Sequence, residues 1–171
     1  RNGFVGSGGS TCLILESEDE VARRGVSPYA EMIGWGQAAD GYNVAISHPE
    51  GRGLKEAIER ALRDAELKPD EVDYINAHAP STPIGDASEL KALKAVFPEP
   101  MNVKVSSTKA LTGHGLSLSS IMEAGFCCIS LKEGFLPGSA NIKELGPQTE
   151  HLDVILESEN TQAEVALSNS S

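Results

Sequence analysis

Two histidines, His78 and His114, carry the chemistry that this sequence most clearly suggests. Each follows an apolar stretch of strand character and precedes a stretch of helical character, an arrangement that places side chains at the rim of an α/β sheet. His114 lies between two glycines, close to the start of a predicted helix. Because a helix N-terminus disfavours imidazolium, this histidine is expected to be neutral and to donate one N–H. Two neutral imidazoles aimed at one point would stabilise an enolate or a tetrahedral oxyanion.

Charged side chains accompany both histidines. Lys109 lies five residues before His114, and Glu89 lies on a helix that Asp86 is predicted to cap. An ammonium group and a carboxylate brought together at a buried rim would satisfy each other and fix the histidine tautomers. The ordinary alternative is a surface lysine and a solvated acidic helix face, which the apolar flanking segments disfavour.

A framework of alternating strands and helices is predicted around these side chains. The clearest helix is amphipathic, with apolar residues at the 3.6-residue spacing between Leu54 and Ala65. The strand predicted at 29–38 contains Gly34 and Gly36, which suggest a bulge or a close backbone approach. The predicted strands are 11–16, 29–38, 72–77, 103–106, 152–157 and 164–167, and the predicted helices are 18–24, 53–66, 86–96 and 115–132. This alternation implies an α/β fold with a mixed sheet between helix layers.

The helix predicted at 115–132 is apolar nearly all round. A helix of that kind is expected to be central and buried.

The composition argues against several classes of function. Acidic residues outnumber basic residues by 25 to 14, so the net charge of -11 disfavours a nucleic-acid partner. No apolar run approaches the roughly 20 residues that span a bilayer. The first residues also lack the charged-then-apolar layout of a signal peptide. We therefore expect a cytosolic protein without a membrane partner, whose 171 residues form one domain of ordinary size with enough hydrophobic residues for a core.

At these residues the chain resembles the C-terminal half of the elongating β-ketoacyl-acyl-carrier-protein synthases, condensing enzymes of the thiolase-like superfamily. Residues 76–89 resemble the first histidine motif of that family, and residues 105–114 resemble its lysine and second-histidine motif. Residues 1–5, 141–142 and 167–170 also match, so the resemblance covers nearly the whole chain in order. It implies a thiolase-like half with a mixed five-stranded sheet covered by helices on both faces, which makes one of the predicted strands surplus.

The resemblance implies a decarboxylative Claisen condensation in fatty acid or polyketide elongation. A cysteine of the preceding half is acylated, malonyl-carrier protein is decarboxylated, and the resulting carbanion attacks the acyl thioester. In that reaction His78 and His114 hydrogen-bond to the malonyl thioester oxygen as the enolate forms. Lys109, with Glu89, supports the histidines. Thr82 corresponds to a hydroxyl that binds the phosphopantetheine arm, which arrives on the carrier protein, so no further cofactor is required.

The resemblance also implies a cation site and several partners. Asn76, Glu123 and Ser168 resemble positions that line a structural monovalent-cation site in some members. The expected partners are acyl carrier protein, the N-terminal half of the same enzyme, and a second copy in a homodimer. The expected compartment is the cytosol, or the plastid stroma in a eukaryote.

The chain departs from the family's pattern in both histidine motifs. The usual His-Gly-Thr is His78-Ala79-Pro80, which removes one pantetheine hydroxyl and stiffens the loop. The small Gly/Ala run after the second histidine is replaced by Ser-Leu-Ser-Ser at 117–120, which is bulkier where the helix packs.

The nucleophile of the family's reaction is missing from residues 1–171, as is the glycine-rich loop that follows the final Asn-Ser. None of Cys12, Cys127 and Cys128 falls where the nucleophilic cysteine belongs. We therefore expect residues 1–171 to be the C-terminal half of an acyltransferase, inactive as an isolated fragment.

Two alternatives stay open. The first is a non-catalytic pseudo-synthase or chain-length-type partner, which Ala79, Pro80 and the serine-rich helix start favour. The second is a decarboxylase that makes an acyl thioester without condensing it. Retention of His78, Lys109 and His114 disfavours a purely structural role.

Overall fold

The structure, a computed structural model, describes residues 3–97 and 99–171. Its centre is a four-stranded sheet in the order β3-β2-β1-β4, and every pair of neighbouring strands is parallel. The strands are β1 (Tyr74–Asn76), β2 (Lys104–Ser106), β3 (Asp153–Val154) and β4 (Ala166–Ser168). β1 is buried along its whole length, so this strand is the axis of the fold.

Five α-helices and three single 3₁₀ turns surround the sheet in the described residues. The helices are α1 (Glu18–Arg24), α2 (Arg52–Asp64), α3 (Pro83–Val96), α4 (Lys109–Thr112) and α5 (Ser119–Glu133). The 3₁₀ turns are Pro69–Glu71, Leu116–Leu118 and Pro147–Thr149. α1 begins as its sequence predicts, because the Ser17 hydroxyl accepts the Glu20 amide, and it ends at Gly25 in the left-handed conformation.

Helices cover both faces of the sheet, as expected. Ile75 belongs to a core on one face that also contains Ile58 of α2 and Leu93 of α3. Tyr74, whose side chain alternates to the other face, belongs to a second core with Cys127 of α5. The bounds of the elements confirm the predictions for α1 and α2 and for the strands at 72–77, 103–106, 152–157 and 164–167, although the observed strands are shorter than predicted.

The connections bring the two histidine motifs to one edge. α3 links β1 to its neighbour β2, and α5 links β2 to its neighbour β3. Because the strands are parallel, the segments that follow β1 and β2 leave the sheet at the same carboxyl edge. His78 follows β1, and Lys109 and His114 follow β2.

Two predicted strands are wrong. Residues 11–16 and 29–38 have no strand structure, and the sheet of the described residues has four strands rather than five. Its pairs are all parallel, and the antiparallel contact is an isolated bridge between Leu136 and Glu159. The residues of 11–16 and 29–38 suit a strand, but a strand also needs a neighbour, and no described strand lies beside either segment.

The prediction for the long apolar helix is partly wrong. α5 begins at Ser119 rather than near 115, after a separate 3₁₀ turn. One face is buried and consists of small and polar residues, while Ile121 is 38% exposed and Ile129 is 42% exposed. The described part of the chain contains no helix long and apolar enough to cross a membrane.

Candidate active site

The two histidines meet at the carboxyl edge of the sheet. Their ring centroids lie 5.1 Å apart, with an angle of 80° between the ring planes. Both imidazoles line a cavity of about 410 Å³, together with Leu116, Ser119 and Ser120. The structure therefore brings together two side chains that are 36 residues apart in the sequence.

His78 is held rigidly by the backbone on which it lies. Its own amide and that of Ala79 each donate to the carboxylate of Glu89, at 2.8 Å. Burial, and then the charges of Lys109 and His114, lower the pKa of His78 to about 3. The imidazole is therefore neutral over the physiological range, and it can act as a hydrogen-bond donor but not as a cation.

His114 is fixed by the segment that enters the site from the start of the chain. Its amide donates to the Val5 carbonyl at 2.8 Å, and its carbonyl accepts the Ser7 amide at 3.0 Å. This crossing requires Gly113, which has a φ of +70° and where a Cβ would lie 2.7 Å from that of Ser7. Phe4 packs edge-on against the His114 ring at 4.9 Å. Burial and the charge of Lys109 lower the pKa of His114 as well.

Lys109 forms a buried ion pair, but the predicted partner is wrong. Its ammonium group binds Glu123 of α5, and both side chains are at most 5% exposed. Glu89 accepts the two loop amides instead, together with the Asn169 side chain at 3.4 Å. Burial raises the pKa of Glu89 and of Glu123, while the hydrogen bonds to each carboxylate oppose that shift.

The start of α3 also differs from the prediction. The helix begins at Pro83, so Asp86 lies within its first turn rather than at the N-cap. A carboxylate in that turn still suits the positive end of the helix dipole. Thr82 occupies the N-cap position without making a side-chain capping bond. A Cβ at Gly85 would lie 2.5 Å from the Thr82 hydroxyl oxygen, so a larger residue there would require the Thr82 side chain to rotate.

The loop between His78 and α3 is strained. Ala79 has a φ of 25° and Ser81 a φ of 70°, in the region that favours glycine. Of the usual family pattern His-Gly-Thr, only the histidine is present here, so alanine adopts a conformation for which glycine is better suited. The substitution of glycine is visible in the sequence, but the strain is visible only in the backbone.

The three residues compared with a cation site lie around the end of β1. Asn76 and Ser168 are opposite each other in the β1–β4 register. Among the described residues, Asn76 Oδ1 and Glu123 Oε2 are buried without a hydrogen-bond partner. No group of three or more His, Cys, Asp or Glu side chains in residues 3–97 and 99–171 could hold a metal ion. Asn76, Glu123 and Ser168 together contain a single carboxylate, and the other side-chain oxygens are those of an amide and a hydroxyl.

Two of the three cysteines, Cys127 and Cys128, are not suited to act as a nucleophile. Burial raises the pKa of Cys127 to about 12 and also raises that of Cys128. A nucleophilic cysteine must be a thiolate at working pH, so neither of these thiols is suited to that role.

Two site residues have no clear signal in the sequence. Phe4 reaches the His114 ring from a segment that crosses the site only after folding. Ser119, which binds His114 through its hydroxyl, belongs to the serine-rich helix start noted only as bulky. Its position five residues after His114 gains a meaning only in the structure, where Ser119 is the first residue of α5.

Comparison with known proteins identifies close relatives of the chain. Residues 29–143 match the family model described as beta-ketoacyl synthase, C-terminal domain. The chain is 38% identical over 172 residues to 3-oxoacyl-[acyl-carrier-protein] synthase 2 of Staphylococcus aureus, which covers 99% of this chain and 42% of the relative. It is 41% identical over 150 residues to the mitochondrial 3-oxoacyl-[acyl-carrier-protein] synthase of Arabidopsis thaliana, covering 86% of this chain and 32% of the relative.

The fold is also similar to that of solved ketosynthase structures. The ishigamide ketosynthase/chain length factor superposes with a TM-score of 0.90 at 28% identity, covering 100% of this chain and 42% of the other. The complex of a type II PKS acyl-carrier protein with its ketosynthase, AntDE:AntF, superposes with a TM-score of 0.85 at 28% identity. The match covers 90% of this chain and 38% of the other. The expected α/β thiolase-like class is confirmed. The chain spans about two fifths of the length of these relatives.

Proposed function

The chain belongs to the β-ketoacyl synthase family, as its C-terminal domain, and on that basis we propose that it is part of a 3-oxoacyl-[acyl-carrier-protein] synthase. The proposed reaction is the decarboxylative condensation of an acyl thioester with malonyl-acyl carrier protein in fatty acid or polyketide elongation. The observation that carries the proposal is the pair of neutral imidazoles, 5.1 Å apart, at the carboxyl edge of the sheet.

The histidines act where negative charge develops. When the bond between the malonyl methylene and its carboxylate breaks, CO₂ leaves and the electron pair forms an enolate on the thioester. An N–H from His78 and one from His114 would stabilise the enolate oxygen, because donors fixed in advance in a dry site are worth more than donors in water. The enolate carbon then attacks the acyl thioester carbonyl, and the cysteine thiolate leaves.

Lys109 acts on this step from a fixed position. Its ammonium group is held by Glu123, and its charge adds to the effect of burial, which is the larger cause of the lowered pKa of both histidines. Lys109 therefore helps burial to keep the imidazoles neutral, so each retains one nitrogen that carries a proton and one that does not. Glu89 supports the same step through the backbone of His78.

The nucleophile and the partners belong to the rest of the proposal. The cysteine that carries the acyl group would come from an N-terminal half, which makes residues 1–171 inactive alone. Acyl carrier protein would bring the phosphopantetheine arm past the Thr82 hydroxyl, and two complete enzymes would form a homodimer. The AntDE:AntF structure supports a carrier-protein partner, because it is the complex of such a protein with its ketosynthase. The proposed compartment remains the cytosol, or the plastid stroma.

The oxygen atoms near the end of β1 suit a monovalent cation. Asn76 Oδ1 and Glu123 Oε2 are buried acceptors without a partner among the described residues, and such oxygens suit a hard cation. Asn76, Glu123 and the Ser168 hydroxyl would hold the ion. Its contribution would be structural, by neutralising buried oxygen atoms next to the Lys109 pair.

A chain-length-type partner is the second candidate. The likeness to the ishigamide ketosynthase/chain length factor and the strained His78-Ala79-Pro80 loop favour it. A malonyl-thioester decarboxylase is the third, since it needs the same enolate site. The residue at the nucleophile position separates them, because a cysteine there supports the synthase, and glutamine or another residue supports either alternative.

The test of the proposal is His78→Ala in the complete protein. Loss of one oxyanion donor should reduce malonyl decarboxylation by about 10² to 10³-fold. Acylation of the cysteine should be unaffected, since His78 acts on the malonyl thioester. His151→Ala, which removes an exposed histidine, is the matched control. Unchanged decarboxylation in His78→Ala would remove His78 from the mechanism.

A further inference from the structure

Nδ1 of His114 and the Ser119 hydroxyl form a hydrogen bond with each other, and each is also close to one backbone amide. The Leu116 amide lies 3.2 Å from Nδ1, and Ser119 Oγ lies 2.9 Å from it. The Gly115 amide lies 3.0 Å from Ser119 Oγ. Ser119 is the first residue of α5 and is 1% exposed, so its hydroxyl has no access to bulk water.

The directions of these bonds follow from which groups can only donate. A backbone amide has one proton and no acceptor, so the Leu116 amide must donate to Nδ1. Nδ1 is then unprotonated, and the ring proton of the neutral imidazole lies on Nε2. The Gly115 amide must likewise donate to Ser119 Oγ. The single hydroxyl proton of Ser119 is therefore free to point at Nδ1, which receives two donors.

We propose that Ser119 is a positioning residue that, with the Leu116 amide, holds His114 in the neutral form with its proton on Nε2. This inference deepens the proposed function, on which its catalytic meaning rests, because Nε2–H is then the group that His114 offers to an enolate. With the proton on Nδ1, the Leu116 amide would lose its acceptor and the bond to Ser119 would reverse its direction, so the tautomer with the proton on Nε2 is the one that satisfies the Leu116 amide, the Gly115 amide and the Ser119 hydroxyl together.

The hydroxyl distinguishes this chain from the pattern that it resembles. The family has a small Gly/Ala run where this chain has residues 117–120. An alanine at 119 would leave the Leu116 amide as the remaining donor to Nδ1 and would leave the Gly115 amide without its acceptor. The larger side chain at position 119 therefore makes a hydrogen bond to the His114 ring, in addition to its effect on packing.

The test measures the tautomer directly in the complete protein with ¹⁵N-labelled histidine. At pH 7, His114 should show an unprotonated Nδ1 and a protonated Nε2 signal, assigned by their loss in His114→Gln. In Ser119→Ala the two signals should move toward each other, because the preference for one tautomer weakens. Ser119→Thr, which keeps the hydroxyl, should restore the pattern of the parent protein.

A matched control comes from the same helix. Ser130 is also 1% exposed, and its hydroxyl has no partner among the described residues. Ser130→Ala should therefore leave the His114 signals unchanged. If Ser119→Ala does not fold, Ser119→Cys keeps a side chain of similar size with a weaker donor and should give an intermediate shift.

The kinetic readout separates positioning from a purely structural role. In Ser119→Ala, kcat for malonyl decarboxylation should fall about tenfold with KM little changed, since one hydrogen bond to the ring is lost. A protonated Nδ1 in the parent protein, or an unchanged spectrum in Ser119→Ala, overturns the inference. If the tautomer shifts as expected but neither protein decarboxylates malonyl thioester, the inference stands and the proposed function fails.

Discussion

His78 shows how burial, together with two neighbouring basic groups, sets the protonation state of a residue. The side chain is 6% exposed and faces Lys109 and His114, so a second positive charge there is costly. Its pKa of about 3 in the folded chain lies below the ordinary value of 6.5. Between those values the unfolded chain binds the proton and the folded chain does not. The stabilising contribution is therefore complete above pH 6.5 and is lost as the pH falls toward 3.

This gives a prediction for His78→Gln, which removes the titrating group. The unfolding free energy of the parent protein should fall relative to that of the variant by up to about 1.4 kcal/mol per pH unit below pH 6.5. Chemical denaturation of both complete proteins at pH 7, 6 and 5 measures this difference. Taking the difference cancels the opposite contribution of Glu89 and Glu123, whose raised pKa values favour the folded state as the pH falls. A difference independent of pH would contradict the assigned environment.

For single residues, the sequence predicts a position correctly where the direction of the strands determines it. The sequence predicts His78 and His114 at one edge of the sheet because each follows a strand, and parallel strands end at the same edge. It fails for the partner of Lys109, because Glu89 and Glu123 lie on helices at opposite faces of the sheet. Which carboxylate the ammonium reaches depends on the angle at which α4 leaves β2, and no residue type encodes that angle.

At the scale of elements, the glycines of residues 34–36 place an extended segment against α2. A Cβ at Gly36 would lie 2.0 Å from the Ala57 carbonyl oxygen and 2.6 Å from the Ala61 amide nitrogen. The segment is tied to the helix by the Trp35 amide, which donates to Asp64 at 3.1 Å. The close backbone approach suggested by the glycines is confirmed, although it is made to a helix and not within a strand.

Gly36→Ala should therefore destabilise the protein by at least about 2 kcal/mol, because the added methyl meets backbone atoms that cannot move alone. Gly146→Ala is the control, since the nearest atom to its added Cβ is a side-chain oxygen 3.9 Å away. That control should stay within about 0.5 kcal/mol of the parent protein. Thermal or chemical unfolding of both variants measures the two effects, and equal losses would show that residues 34–36 do not pack on α2.

The same scale shows why the strand predictions differ in success. β1, β2 and β4 form because each has a neighbour of matching register within the chain. The residues of 11–16 are as apolar as those of a strand, yet Ile14 is 85% exposed. Composition shows that a segment can be a strand, whereas pairing decides whether it is one.

At the scale of the whole molecule, the exposed apolar residues concentrate in the first part of the described chain. Val5, Ile14 and Leu15 are each at least 77% exposed, and Met32 and Trp35 are more than 60% exposed. A surface of this kind is unusual for a monomer. The chain also spans about two fifths of the length of its relatives, so the proposed N-terminal half is the partner that would cover it.

Trp35 allows this proposal to be tested, because it is the single tryptophan of the 171 residues and is 62% exposed. In residues 1–171 alone, its fluorescence should be red-shifted and quenched by iodide, and the chain should bind a hydrophobic dye. Adding the N-terminal polypeptide of the same protein should shift the emission to the blue, reduce quenching and release the dye. The difference between this chain and its Trp35→Phe variant isolates the signal from any tryptophan of the partner. A monodisperse monomer that binds no dye would contradict a half-enzyme, because an exposed apolar surface of this extent should bind dye or associate.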